Sequence, residues 1–91
     1  MERNGANDWV FRITRSYLRF QIMTVLRSGP HTPSEIARRL SVARSRVSRA
    51  LRSLDRMGLV TNITPGALKG RLFILSEKGK TALSALNRLT R

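Results

Sequence analysis

One short stretch constrains the fold of this chain more than any other. In "TPSEIARRL", residues 32–40, Thr32 is a good helix N-cap, Pro33 fits the first helical position, and Glu35 follows three residues after the cap. A threonine hydroxyl takes the amide of the third helical residue while the glutamate returns to the cap's own amide, and proline there has no amide to lose. The start of a helix is therefore pinned to one residue. Ile36, Ala37 and Leu40 form its inward stripe, and the pattern stops near Ser41 after about two turns.

After a break of three or four residues the helical pattern resumes through Met57, where Gly58 supplies a C-terminal stop. A two-turn helix, a short turn and a longer amphipathic helix describe a helix-turn-helix. "LVTNI" (59–63) and "RLFIL" (71–75) read as short strands around the turn-forming "TPGALKG" (64–70), which makes a hairpin placed as a wing. Ser76 begins a last helix, with Glu77 in its first turn and Ala82, Leu83, Leu86 and Leu89 on one face. Gly79 is expected to weaken that first turn.

Upstream, Leu18, Ile22, Val25 and Leu26 recur at helical spacing, and "SGP" (28–30) ends the helix they mark. Ser16 is a candidate cap for its start, which leaves "DWVFRIT" (8–14) as a turn, a short strand or a further helical stretch. Residues 1–7 are polar and expected to be flexible. No internal repeat, low-complexity segment or linker interrupts the chain. The expected fold is mostly α with a small β-hairpin: a winged helix-turn-helix over residues 8–91, with a three-helix core, a two-stranded wing and a C-terminal helix.

Charge narrows the partner. Eighteen Lys and Arg oppose five Asp and Glu, for a net +13 over 91 residues, and that much positive charge repels itself unless a polyanion is near. Fifteen of the eighteen cations are arginine, which suits bidentate contacts to phosphate and guanine. No apolar run approaches the ~18 residues of a membrane span, and "MERNGANDW" has no apolar signal core. The chain has no cysteine and one histidine, His31, so disulfides and cysteine- or histidine-rich metal sites are excluded. The expected location is the cytoplasm, on the nucleoid.

Winding residues 43–57 at about 100° per residue puts Ala43, Val47, Ala50, Leu51, Leu54 and Met57 on one side. Ser45, Arg49, Arg52 and Arg56 lie opposite, Arg46, Ser48 and Ser53 on the flanks, and Arg44 and Asp55 nearer the apolar edge. Fixing the apolar stripe to the core thus aims the arginines outward together. The helix start presents Arg44, Ser45, Arg46, Ser48 and Arg49, the positions that enter a major groove when such a helix docks by its N-terminal end; Arg52 continues the face. A solvated face usually mixes signs, and here Asp55 alone accompanies five arginines. A membrane surface would want large aromatic and leucine side chains opposite the cations, and this helix needs its small and β-branched ones for the core.

Arg38 and Arg39 are equally well accounted for as backbone contacts or as solubilising charge, and the amides near Ser34 suit a phosphate. Lys69 and Arg71 flank Gly70 at the hairpin loop, where a cationic tip reaches a minor groove or a phosphate. Lys78, Lys80 and Arg88 read as solvated. Trp9, Phe11, Tyr17 and Phe20 read as core or dimer packing rather than a platform for stacked bases. His31 reads as an ordinary loop residue, and Met23 and Met57 as core filler. No glycine-rich phosphate loop, Ser/His/Asp set or paired carboxylate offers catalysis, so neither an enzyme nor a cofactor is expected.

Taken in order, "TPSEIARRL…VARSRVSRALRSLDRMGLV…TPGALKGRLFILSEKGKTAL" resembles the archaeal and bacterial winged helix-turn-helix transcription regulators of the arsenical-repressor-like group, over about residues 13–86. The match is closest to small archaeal regulators carrying "TPSEIA", "SRVSRAL" and "GLV". The resemblance implies a recognition helix bearing Arg44, Ser45, Arg46, Ser48, Arg49 and Arg52, a wing with Lys69 and Arg71, double-stranded DNA as partner, and a homodimer built on the first and last helices. Two departures stand out. Ala43 occupies the N-cap where the family often has serine, a loss of typically ~1 kcal/mol that shifts the expected helix start by up to a residue. The cysteines or clustered histidines of metal and oxidant sensors are absent, so no metal or small-molecule effector is expected, nor a second domain to hold one. Three functions fit: a sequence-specific regulator, an architectural DNA-coating protein, and a binder of RNA or of a protein of the transcription or translation machinery.

Overall fold

The computed structural model describes residues 16–66 and 70–89. Trp9, Phe11, Lys69 and the expected flexible segment 1–7 lie outside them. The first helix, α1, covers 16–27, and Ser16 is already helical, so it is not the cap. Leu18, Ile22, Met23, Val25 and Leu26 of α1 are buried. The helix closes where Gly29 N–H donates to the Leu26 carbonyl at 3.1 Å with φ +138°, a conformation that favours glycine.

The second helix, α2, is Pro33–Leu40 and starts as the sequence requires. The Glu35 amide donates to Thr32 Oγ1 at 3.1 Å, and the Thr32 amide donates to Glu35 Oε1 at 2.8 Å. The Thr32 backbone bond outweighs the opposing effect of burial and, with lesser help from the Thr32 hydroxyl and the charges of His31 and Arg38, holds the Glu35 carboxyl below the usual carboxylate range. Ser41 ends α2 in the left-handed region at φ 56°, and Val42 N–H reaches back to the Ala37 carbonyl at 3.1 Å.

The third helix, α3, is Arg44–Arg56, and Ala43 is its N-cap without a side-chain hydrogen bond, so the missing serine does not move the start. Gly58, at φ +76°, ends it. Leu59 N–H donates to the Leu54 carbonyl at 2.9 Å and Gly58 N–H to the Asp55 carbonyl at 3.0 Å, the two bonds of a Schellman closure.

Strand β1 (Val60–Asn62) pairs antiparallel with β2 (Phe73–Leu75) in the register Val60–Leu75, Thr61–Ile74, Asn62–Phe73. His31 corrects the loop reading. Its N–H donates to the Phe73 carbonyl at 3.2 Å and its carbonyl accepts from Phe73 N–H at 3.0 Å, so it bridges to the outer side of β2. This bridge ties the start of the helix-turn-helix to the base of the wing. Helix α4 is Glu77–Leu89. Ser76 caps it, accepting from the Gly79 amide at 2.9 Å.

One apolar cluster joins α1, α2, α3, both strands and Leu83 of α4. Ile22, Ile36, Val47, Leu51, Leu54 and Leu83 are its fully buried members. Two sequence expectations fail at its margins. Met57 is 39 % exposed rather than core filler, and Ala43 is exposed at the other end of α3. Leu86 and Leu89 are exposed, Leu89 at 81 %, and Tyr17 lies outside the core with its ring stacked on half-buried Phe20 at 6.4 Å. Gly79 is not simply a weak spot. It is buried, and a Cβ there would collide with the Leu59 carbonyl oxygen. The glycine lets α4 approach the α3–β1 junction.

Candidate nucleic-acid interface

Burial of Val47, Leu51 and Leu54 decides which way α3 points. Those three positions join the core that α1, α2 and both strands share, so the opposite side of α3 faces solvent. Ser45, Arg49 and Arg52 are exposed there, Arg44 and Arg46 are exposed beside them, and Arg56 follows in the last turn. The first turn of α3 has no acidic residue. Ala43 gives that turn no side-chain cap, and Arg46 N–H donates instead to the Ala43 carbonyl at 3.1 Å, which leaves the amides of Arg44 and Ser45 for an outside acceptor.

Ser48 is half-buried on the flank of α3. It lines an open depression of about 210 Å³ between α3 and the wing, together with Arg52, Asp55, Asn62 and Arg71 over a floor of Leu51, Phe73 and Pro33. Ser48, Arg52 and Asp55 are spaced i, i+4, i+7, so one stripe of α3 faces the wing base. The wing base is stiffened by side chains: Asn62 Oδ1 accepts from the Thr64 amide at 2.8 Å and from its hydroxyl at 3.0 Å, and Thr64 Oγ1 accepts from Leu72 N–H at 2.9 Å.

The structure thus brings Ser48, Arg52 and Arg71 of the expected residues to one concave surface, with Arg44, Ser45, Arg46 and Arg49 continuing it along α3. Gly70 is exposed at φ +65°, next to Arg71. Lys69 lies outside the described residues. Arg38 and Arg39 are exposed in the last turn of α2 and do not line the depression. The phosphate role expected near Ser34 is narrowed. The capping box uses the amides of Thr32 and Glu35, Pro33 has none, and the Glu35 carboxylate stands at the same helix end. Sequence reasoning missed Asp55 and Asn62 as lining residues. The 48–52–55 spacing contained the signal for Asp55; only the hairpin register places Asn62.

Among the described residues no group of His, Cys, Asp and Glu is arranged to hold a metal ion. None of their helices is long and apolar enough to cross a membrane.

A capped short helix, a three-residue turn, an arginine-faced helix and a hairpin beside it define a winged helix-turn-helix of the kind used by transcription regulators. Solved structures share the fold. The transcriptional regulator BldR from Sulfolobus solfataricus superposes with a TM-score of 0.73 at 22 % identity, over 99 % of this chain and 77 % of that one. HlyU from Vibrio cholerae gives 0.68 at 28 % identity, over 98 % and 97 %. ZitR from Lactococcus lactis, in complex with DNA, gives 0.65 at 22 % identity, over 74 % of this chain and 47 % of that one. A search of curated proteins finds no match. The family described as bacterial regulatory protein, arsR family, matches residues 17–62. The chain belongs to the arsR family of bacterial regulatory proteins and is a regulator, not an enzyme.

Proposed function

We propose that the chain regulates transcription by laying α3 in the major groove of double-stranded DNA. The observation that carries this reading is the orientation of α3: Val47, Leu51 and Leu54 are buried, and the exposed side opposite them is almost wholly arginine and serine. A major groove about 12 Å wide admits a helix, and a helix-turn-helix docks the N-terminal part of its second helix against base edges. Arg44, Ser45, Arg46, Ser48 and Arg49 are the residues assigned to that contact, with Arg52 further along the groove wall. Lys69, Gly70 and Arg71 of the wing follow the backbone or the adjacent minor groove. Ser34, Arg38 and Arg39 of α2 add backbone contacts.

The chain acts as a homodimer through α1 and α4, whose exposed Tyr17, Leu86 and Leu89 a second copy would cover, and it works in the cytoplasm on the nucleoid. A net charge of +13 favours a second reading, an architectural protein that coats DNA with little sequence preference.

Selection of bound duplexes from random DNA, with the mass of the complex measured in parallel, separates the two. If about six phosphates are neutralised per protomer, log K against log salt falls with a slope near −5 under either reading. A regulator holds one site about 10³-fold or more above random DNA at fixed salt. Half-sites about 10 base pairs apart accompany a two-fold dimer. A protein that binds no duplex at low salt sinks both readings.

A further inference from the structure

The depression between α3 and the wing contains a charge of the wrong sign for its surroundings. Arg52 and Arg71 line it, and so does Asp55, the one carboxylate on α3. Asp55 is exposed. Among the described residues the ion pair closer than 4 Å joins Lys80 and Glu77 at 3.2 Å, so Asp55 reaches neither arginine directly. Its charge stands open toward whatever enters the depression.

We propose that Asp55 limits the affinity of the protein for DNA by opposing the backbone phosphate that Arg52 and Arg71 draw into this depression. The proposal rests on the DNA-binding reading above. With α3 in the groove and the wing at its edge, the duplex backbone passes between them. Two guanidinium groups attract a phosphate there, and one carboxylate subtracts from that attraction. Asp55 lies eleven residues beyond Arg44, about 16 Å along the helix axis, and six beyond Arg49, about 9 Å. The screening length is about 8–10 Å at physiological salt. The carboxylate therefore acts mainly on the phosphate beside it, weakly on Arg49 and hardly on Arg44, and it sets how tightly the protein binds rather than which sequence it chooses.

The test compares wild type, Asp55→Asn and Asp55→Glu, alone and with Arg71→Ala, on a selected duplex and a scrambled one across a salt series. Removing the carboxylate adds the equivalent of up to one neutralised phosphate, which steepens the salt slope by about 0.9 and tightens binding about eightfold at 0.1 M salt. The gain is equal on both duplexes. It falls below twofold in the Arg71→Ala background, because the phosphate is then no longer held beside Asp55. Asp55→Glu, which keeps the charge, binds like wild type. Weaker or unchanged binding by Asp55→Asn, a changed preference between the duplexes, an undiminished gain without Arg71, or an Asp55→Glu that binds as tightly as Asp55→Asn each overturn the proposal while leaving the DNA-binding reading standing. Absence of wild-type binding at low salt overturns both. Matching melting curves exclude a folding difference.

Discussion

Replacing Gly79 with alanine separates two opposite expectations. By helix propensity alone the change stabilises, since alanine is favoured over glycine by about 1 kcal/mol inside a helix. The packing reverses the sign. A Cβ at position 79 would collide with the Leu59 carbonyl oxygen and lie 3.0 Å from its carbon and 3.1 Å from Leu75 Cδ2. The obstacle is mostly backbone, and that carbonyl also accepts from the Ser76 amide at 3.0 Å, so it cannot turn aside without losing a hydrogen bond. Over-packing of this kind costs about 1–3 kcal/mol and a strained or lost hydrogen bond about 1 kcal/mol more. Set against the propensity gain, the net is about 2 kcal/mol of destabilisation by the same estimates. For a domain of this size that lowers the melting temperature by about 8–16 °C. Thermal and urea unfolding at fixed protein concentration measure it, with Lys80→Ala as the exposed control in the same turn. A Gly79→Ala protein that melts at or above wild type refutes the close-approach account and restores the propensity one.

Three further outcomes follow from the local geometry. Ser41→Gly relieves a left-handed serine, which costs about 1–2 kcal/mol, at a glycine entropy cost of about 0.5–1 kcal/mol; a higher melting temperature is expected, and a lower one would show that the serine side chain matters more than its backbone. Glu35 has its folded-state carboxyl below the usual range, so it contributes stability above the unfolded carboxylate pKa that is lost as pH falls through the folded value; Glu35→Gln should flatten this acid limb in a pH series of unfolding curves, and an unchanged limb would count against the capping role. Arg49→Ala should weaken the selected duplex by about 1–3 kcal/mol and relax choice at one base pair, whereas equal weakening on every duplex would assign Arg49 to the backbone.

Local rules made much of this fold legible. The capping box of α2 forms atom for atom because its donors and acceptors lie within four consecutive residues. Val47, Leu51 and Leu54 follow from helical spacing, and with them the outward aim of the α3 arginines. What the pattern could not supply was what lies opposite each position. The wheel put Ala43 and Met57 with the buried stripe, but they are the two caps of α3 and both are exposed. Leu86 and Leu89 share a face with Leu83, yet only Leu83 meets the core. His31, a single extended residue between Pro30 and Thr32, has no alternation to mark it as part of a sheet; its partner Phe73 is settled by tertiary packing. Asp55 reads in the sequence only as the lone acid among five arginines, because its relation to Arg71 depends on how the hairpin folds against α3.

The joint between α3 and α4 shows why the arginine face is held in place by residues far from it. Three donors from the start of α4 close on the chain leaving α3: Ser76 Oγ to the Gly58 carbonyl at 2.6 Å, the Ser76 amide to Leu59 at 3.0 Å, and Lys78 Nζ to Met57 at 2.8 Å. Carbonyls at a helix C-terminus carry partial negative charge, so an ammonium and a hydroxyl are suited to them. The consequence is that α4 and α3 share one rigid corner, with Gly79 removing the side chain that would wedge it open. Leu86 and Leu89 lie at the other end of α4. Lys78, which composition alone marks as a solvated cation, is thus part of the frame that sets where Arg44, Arg46 and Arg49 point.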